Sequence, residues 1–228
     1  MTIWFASGNA HKKKELKDIL GEILSDPIHI DILNRKRPFK WELKIPSEAG
    51  IDFGPEETGN TFLDNALIKA GELRCVLDGK GLLRPGDAVI ADDSGLCVDA
   101  LGGRPGLHSA YYGSPNADTK IDAGEQNALL LAELGDNPQR SGRFVCCMVL
   151  YFSADRFFVA QETFEGELVK EMRGKGGFGY DPILYIPSLR RTVAELTVEE
   201  KNCFSHRGKA ARTLADIIVG EILANECR

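Results

Sequence analysis

Five short stretches of this 228-residue sequence combine residue types and spacings that can do chemistry. Ala91-Asp92-Asp93-Ser94-Gly95 closes an apolar run, at the kind of strand end where α/β proteins gather their sites. Neighbouring strand residues point to opposite faces, so one of Asp92 and Asp93 faces any given pocket. A carboxylate there can bind Mg²⁺ or take a proton from water, and it can equally cap the N–H groups of a turn. Glu56-Glu57-Thr58-Gly59-Asn60 precedes a helical pattern. Acidic residues suit a helix entry, and Glu56 is alternatively a second oxygen ligand for a hard cation. On that helix Asn65 and Lys69 are four apart and share a face; Lys69 either reaches a phosphate or lies in solvent.

Ser7-Gly8-Asn9-Ala10-His11-Lys12 lies between a strand pattern and a helix pattern. Such a turn presents unpaired backbone N–H groups at the positive end of a helix, where an anion binds. Lys12 to Lys14 add charge, or simply open a solvated helix. The spacing is not that of a P-loop. Gly176-Gly177-Phe178-Gly179-Tyr180-Asp181-Pro182 surrounds Phe178 with glycine, which leaves a ring face open to a planar base. Asp181 can accept from ring N–H groups; a plain glycine turn with one anchoring aromatic is the alternative. Ser205-His206-Arg207 starts a helix, with Ser205 as N-cap and Lys201 just upstream. His206 and Arg207 can donate to a carbonyl or a phosphate, or form a solvated basic turn.

The elements that must position these groups follow from hydrophobic period. Strand patterns cover Thr2 to Ala6, Ile28 to Leu33, Ala88 to Ala91, Leu96 to Leu101, Phe144 to Phe152, Phe157 to Thr163 and Ile183 to Ile186. Phe39 to Ile45 alternates as a hairpin or edge strand would. Asn34 to Pro38 is a basic turn, Asp92 to Gly95 separates two strands, and Ser153 to Asp155 turns a hairpin. Helical spacing marks Leu16 to Leu24, Phe62 to Leu73 with a start at Thr58 to Asn60, Gly124 to Leu134, and a last helix from about Ser205. Thr197 to Glu200 fits a capping box. The intermixed order implies a mixed α/β protein with a long central sheet and helices packed around it.

Composition narrows the function classes. About 43% of residues are hydrophobic, enough for a core, and the net charge is −6. An acidic chain does not hold a nucleic-acid polymer by bulk electrostatics, although a local cationic pocket for a small anion remains open. Lys12, Lys69, Lys201 and Arg207 are candidates to converge into such a pocket. No run of 18 apolar residues exists, and the N-terminus lacks a signal-peptide pattern; the expectation is a cytoplasmic protein without membrane contact. None of the six cysteines pairs at zinc-knuckle spacing, and Cys146 and Cys147 point to opposite faces of a strand.

Taken in order, these motifs resemble the Ham1 family, the inosine triphosphate pyrophosphatases. Ser7-Gly8-Asn9, Glu56-Glu57-Thr58-Gly59, Ala91 to Leu96, Leu101-Gly102-Gly103 with Pro105-Gly106, Gly177 to Pro182 and Ser205-His206-Arg207 match its pattern from Ser7 to Arg207. The resemblance implies an elongated mixed sheet with flanking helices, one domain folded as two lobes around a central substrate groove. It implies a homodimer that uses Mg²⁺ to hydrolyse non-canonical purine nucleoside triphosphates (ITP, dITP, XTP) to the monophosphate and pyrophosphate. It makes Asp93 the proton acceptor, and Glu56 and Asp93 the metal carboxylates. Ser7, Gly8, Asn9, Ala10, His11, Lys12 and Ser94 become substrate contacts, as do Phe178, Gly179, Tyr180, Asp181, Lys201, His206 and Arg207. Asn65 and Lys69 remain further candidates. Tyr111 stands where the family often has arginine, which puts a cationic contact in doubt, and Asn34 to Pro46 is longer than the family pattern leads one to expect. A related pyrophosphatase with another base preference and a non-catalytic nucleotide sensor are the competing readings; the presence of both Glu56 and Asp93 counts against the sensor.

Overall fold

The computed structural model describes residues 1–26, 40–115 and 119–226. The strand and basic turn expected over 28–38 lie outside them. Among the described residues, seven strands form one sheet in the order β2-β1-β3-β4-β5-β6-β7: β1 Thr2–Phe5, β2 Glu42–Lys44, β3 Ala88–Val98, β4 Ser141–Ser153, β5 Arg156–Leu168, β6 Leu184–Ile186 and β7 Arg191–Thr192. Five α-helices accompany them among the described residues: α1 Ala10–Leu24, α2 Phe62–Gly79, α3 Ala123–Leu134, α4 Val198–Phe204 and α5 His206–Glu226. The α/β class read from hydrophobic period holds. β2 is an edge strand, parallel to β1, and so not the arm of a hairpin with it.

The chain divides into two compact units. The first comprises Met1–Asp93, Cys147–Gln161 and Arg207–Arg228; the second comprises Ser94–Cys146 and Glu162–His206. In the first unit β1 and β3 run parallel, with Trp4 opposite Val89. Parallel strands are covered on both faces, which explains why these segments are apolar at every position and not at alternate ones. Trp4, Ala6, Val89 and Ala91 make one face and pack with Ala66, Ala70, Leu73 and Leu77 of α2. Ile3, Phe5, Ala88 and Ile90, on the opposite face, are fully buried as well. The second unit has its own core, with Leu96 and Val98 of β3, Leu130 and Leu134 of α3, Phe164 and Leu168 of β5, and Tyr180, Ile183 and Leu184.

Several boundaries differ from expectation (β5, for one, runs on to Leu168), and two of them bear on the site. β3 is continuous through Asp92, Asp93, Ser94 and Gly95, where the sequence predicts a turn between two strands. The extended path survives because both carboxylates find buried cationic partners, described below. Gly95 is also pressed so closely on the Gly106 carbonyl and the Ser109 hydroxyl that any side chain would collide with them. α2 begins later than expected, capped by Thr61: its hydroxyl accepts from Asp64 N at 3.1 Å, and Asp64 accepts from Thr61 N at 3.0 Å. This reciprocal box outcompetes the Thr58 to Asn60 start.

Candidate active site

Strand alternation sorts the two aspartates of β3. Asp93 continues the face of Val89 and Ala91, so it meets α2; Asp92 continues the opposite face. Asn65 and Lys69, one turn apart on α2, both reach Asp93. Lys69 Nζ donates to Oδ1 at 2.9 Å, and Asn65 Nδ2 donates to Oδ2 at 3.3 Å. All three side chains are buried. Asn65 also accepts from Gly59 N at 2.8 Å, which fixes the loop that carries the glutamates. Glu57 Oε2 then lies 3.2 Å from Lys69 Nζ. Two carboxylates therefore share one ammonium. Burial lifts the Asp93 carboxyl above its usual range, with Lys69 pulling against it. Burial alone would lower the Lys69 ammonium, but Asp93, Asp92 and Glu57 outweigh it and the net movement is upward.

The metal carboxylate expected from sequence beside Asp93 is Glu56; the glutamate that reaches Lys69 is its neighbour Glu57. Both are exposed, and among the described residues the carboxylate partners of Lys69 are Glu57 and Asp93. Nothing in the local sequence distinguishes the neighbours, because the loop has no period; only the position of Lys69 does. The described residues contain no group of three or more His, Cys, Asp or Glu that could cage a metal. A pair of carboxylates nevertheless suits Mg²⁺, which takes one or two protein oxygens and completes its shell with phosphate oxygens and water.

Asp92 works on the other face. Its Oδ1 accepts from Lys12 Nζ at 3.0 Å, and its Oδ2 accepts from Arg207 Nε and Nη2 at 3.1 and 3.0 Å. Arg207 Nη1 also donates to Glu15 Oε2 at 2.6 Å. Burial would raise the Asp92 carboxyl, but Lys12, Arg207 and Lys69 more than compensate and hold it far below the carboxylate range. Role assignment from sequence misses both Asp92 and Glu15 as the groups that hold Lys12 and Arg207 in place. Arg207 is expected from sequence as an open donor; its three nitrogens already serve two carboxylates. Among these described residues, Asp92, Asp93, Glu15 and Glu57 stand against Lys12, Lys69 and Arg207, four anions to three cations.

The Ser7 to Lys12 turn forms as expected between β1 and α1. Gly8, Asn9, Ala10 and His11 are exposed. Asn9 is the N-cap, and its Oδ1 accepts from His11 N at 2.9 Å and Lys12 N at 3.2 Å, while Asn9 N donates to Ser7 Oγ at 3.1 Å. Three of the turn's N–H groups, those of Asn9, His11 and Lys12, are therefore satisfied within it.

The second unit holds the aromatic candidate. Phe178 N donates to Asp181 Oδ2 at 2.8 Å, and Lys201 Nζ donates to the same oxygen at 2.6 Å. Lys201 Nζ also stands 4.4 Å from the centre of the Phe178 ring, so a cation already lies over that ring. Gly177, at φ +71°, leaves the space that Asp181 fills; a Cβ there would overlap its carboxylate. Tyr180 is buried and donates to Ser109 O at 2.9 Å. Ser109 Oγ in turn accepts from Leu96 N at 2.9 Å. His206 is buried and stacks on Phe144 with ring centres 5.0 Å apart. Ser94 is half-buried on β3. Lys120 Nζ lies 4.9 Å from the Tyr111 ring centre, so a cation stands beside the tyrosine that replaces the family arginine.

Comparison with known proteins identifies the family. The chain is 42% identical over 221 residues to a dITP/XTP pyrophosphatase of Treponema denticola, covering 96% of this chain and all of that one. It is 39% identical over 219 residues to a dITP/XTP pyrophosphatase of Escherichia coli O157:H7, covering 93% and 95%. Among solved structures, a Ham1 protein from Coxiella burnetii superposes with a TM-score of 0.75 at 34% identity, over 96% of this chain and 99% of that one. The Staphylococcus aureus Ham1 protein gives 0.73 at 33% identity, over 97% and 100%. A family model matches residues 3–217, and the chain belongs to the Ham1 family.

Proposed function

We propose that this protein hydrolyses deaminated purine nucleoside triphosphates (dITP, XTP and ITP) to the monophosphate and pyrophosphate. The observation that carries the proposal is the buried Asp93, held by Asn65 and Lys69, with Glu57 on the same ammonium. The pyrophosphatase names of its relatives supply the substrate class.

Asp93 accepts the proton of the attacking water, and Asp93 with Glu57 would hold Mg²⁺. Bound there, the ion would supply Lewis-acid polarisation of the phosphate oxygens and lower the pKa of water, so that a modest base is enough. The carboxylates around Lys12 and Lys69 support this requirement: those ammoniums are shared with Asp92, Asp93 and Glu57, so a metal ion would offset the part of the triphosphate charge that they leave. Lys12 and Lys69 stabilise charge on the transferring and leaving phosphates.

The base is read by its Watson–Crick edge. Hypoxanthine and xanthine present a ring N–H beside a carbonyl. Asp181 offers an acceptor and Lys201 a donor, which suits that pattern. Adenine reverses it and offers neither group a complementary partner, at a cost of about 1–3 kcal/mol. Phe178 provides the apolar contact. The protein is further read as a cytoplasmic homodimer. No helix among the described residues is long and apolar enough to cross a membrane.

The deciding experiment is a panel of dITP, XTP, ITP, GTP, ATP and modified pyrimidine triphosphates with Mg²⁺, scored by product identity. Pyrophosphate release preferring dITP, ITP and XTP is the expected result. A preference for pyrimidines, or binding of ITP without pyrophosphate release, overturns the proposal.

A further inference from the structure

α3 carries two adjacent buried amides, Gln126 and Asn127, beside Leu130 and Leu134. Positions 127, 130 and 134 follow the spacing of a core-facing stripe. Asparagine is a poor helix former, and here it occupies a place where an apolar side chain would pack. Asn127 is 1% exposed. Its Nδ2 donates to Gly179 O at 3.0 Å, whereas its Oδ1 is buried without a hydrogen-bond partner among the described residues. A buried acceptor left unpaired costs stability, so this residue is held for another reason.

Gly179 lies at φ +61° inside the turn from Phe178 to Asp181. The turn closes on itself through Phe178 N to Asp181 Oδ2 at 2.8 Å and Asp181 N to Phe178 O at 3.3 Å. Those bonds set its shape but do not fix its direction. A glycine in the left-handed region has little steric restraint of its own, so the direction has to be set from outside. Lys201 Nζ on Asp181 Oδ2 and Ala194 N on Asp181 O hold the far end of the turn, Tyr180 anchors its middle through Ser109 O, and Asn127 supplies the anchor nearest the ring, at the carbonyl just after Phe178. Gln126 is engaged elsewhere, its Nε2 facing the carbonyls of Ala110 and Tyr112, each at 3.3 Å.

We propose that Asn127 is a positioning residue for base recognition: through Gly179 it holds the Phe178 ring and the Asp181 carboxylate in the orientation a purine base requires. It acts through the turn and not on the substrate. The inference rests on the proposed function, in that it takes this turn as the base-reading element.

Two variants test it. Asn127→Leu suits the apolar stripe, and Asn127→Ala removes the same donor without adding bulk. KM and kcat for dITP are measured alongside the affinities for inosine and for pyrophosphate. Both variants are expected to fold, with thermal midpoints at most a few degrees lower because the Gly179 carbonyl loses its donor. KM for dITP and Kd for inosine rise about fivefold to tenfold, as expected for one lost hydrogen bond. The kcat and the pyrophosphate affinity stay within about twofold, because the phosphate-facing residues are untouched. An unchanged inosine affinity in the alanine variant overturns the proposal. So does a parallel fall in pyrophosphate affinity, or failure of both variants to fold, each of which makes Asn127 purely structural. Inosine binding does not depend on turnover: a wild-type protein that binds inosine but releases no pyrophosphate refutes the hydrolase reading and leaves this comparison intact.

Discussion

Asp92 and Asp93 are chemically identical neighbours, and the alternation of β3 gives them opposite roles. Asp93 is lifted by burial and shares Lys69 with Glu57, so loss of its charge leaves that ammonium with a partner. Asp93→Asn is therefore expected to cut pyrophosphate release by at least about 10²-fold, the low end for a general base, with little change in thermal midpoint. Steady-state kinetics and a melting curve on the same preparation decide it; near-normal turnover removes Asp93 from the proton-accepting role. Glu57→Gln is expected to raise the Mg²⁺ concentration that supports half-maximal rate, and Glu56→Gln to leave it unchanged, in parallel Mg²⁺ titrations. The acidic pair on β3 is legible as chemistry from residue type alone. The choice between Glu56 and Glu57 is not, because it depends on where Lys69 stands on another element.

At the scale of elements, hydrophobic period reads most of the molecule. The burial of Leu16, Ile19, Leu20 and Leu24 on α1, and of Leu130 and Leu134 on α3, follows the spacing visible in the sequence. What it misreads is Asp92 to Gly95. Asp, Ser and Gly are turn formers, and a local reading breaks the strand there. The partners that keep it extended (Lys12, Lys69 and Arg207) come from three distant places in the chain, and no local pattern announces them. The tight approach of the Gly106 carbonyl to Gly95 makes a direct test. Gly95→Ala places a methyl against backbone that cannot swing aside. The expected cost is about 1–3 kcal/mol, seen as a thermal midpoint several degrees lower. A midpoint equal to wild type would mean that the strand and the Gly106 turn are less closely seated than described.

For the molecule as a whole, a net charge of −6 conceals a first unit in which buried charges are matched almost one for one. Removing one member of such a set is more disruptive than replacing it entirely. Asp92→Asn should cost about 3–5 kcal/mol by leaving Lys12 and Arg207 short of a counter-charge. The sign with pH follows from the depressed carboxyl. Asp92 stays ionised in the folded chain where the unfolded chain takes up a proton. Its contribution is thus complete above the ordinary value of about 4, and drains as pH falls from there toward the much lower folded value. Asp93, being raised, has the opposite sign: its contribution belongs to the acid side and is lost as pH rises through its folded value. Urea midpoints between pH 2 and 6 should show a steep acid limb in the wild type and a flatter one in Asp92→Asn. Equal limbs would deny Asp92 this part in acid stability. A different consequence attaches to Cys146 and Cys147, both fully buried on β4, with no disulfide among the described cysteines. Burial, aided by Asp93 and Asp92, pushes the Cys147 thiol up to about 11, so neither position should be alkylated until its surroundings open. The boundary between the two compact units falls at the peptide bond that joins them. Adjacent sulfurs can thus act as two local clocks: alkylation rates resolved by fragment mass spectrometry would time the opening around each one, on either side of that boundary, from one unmodified chain.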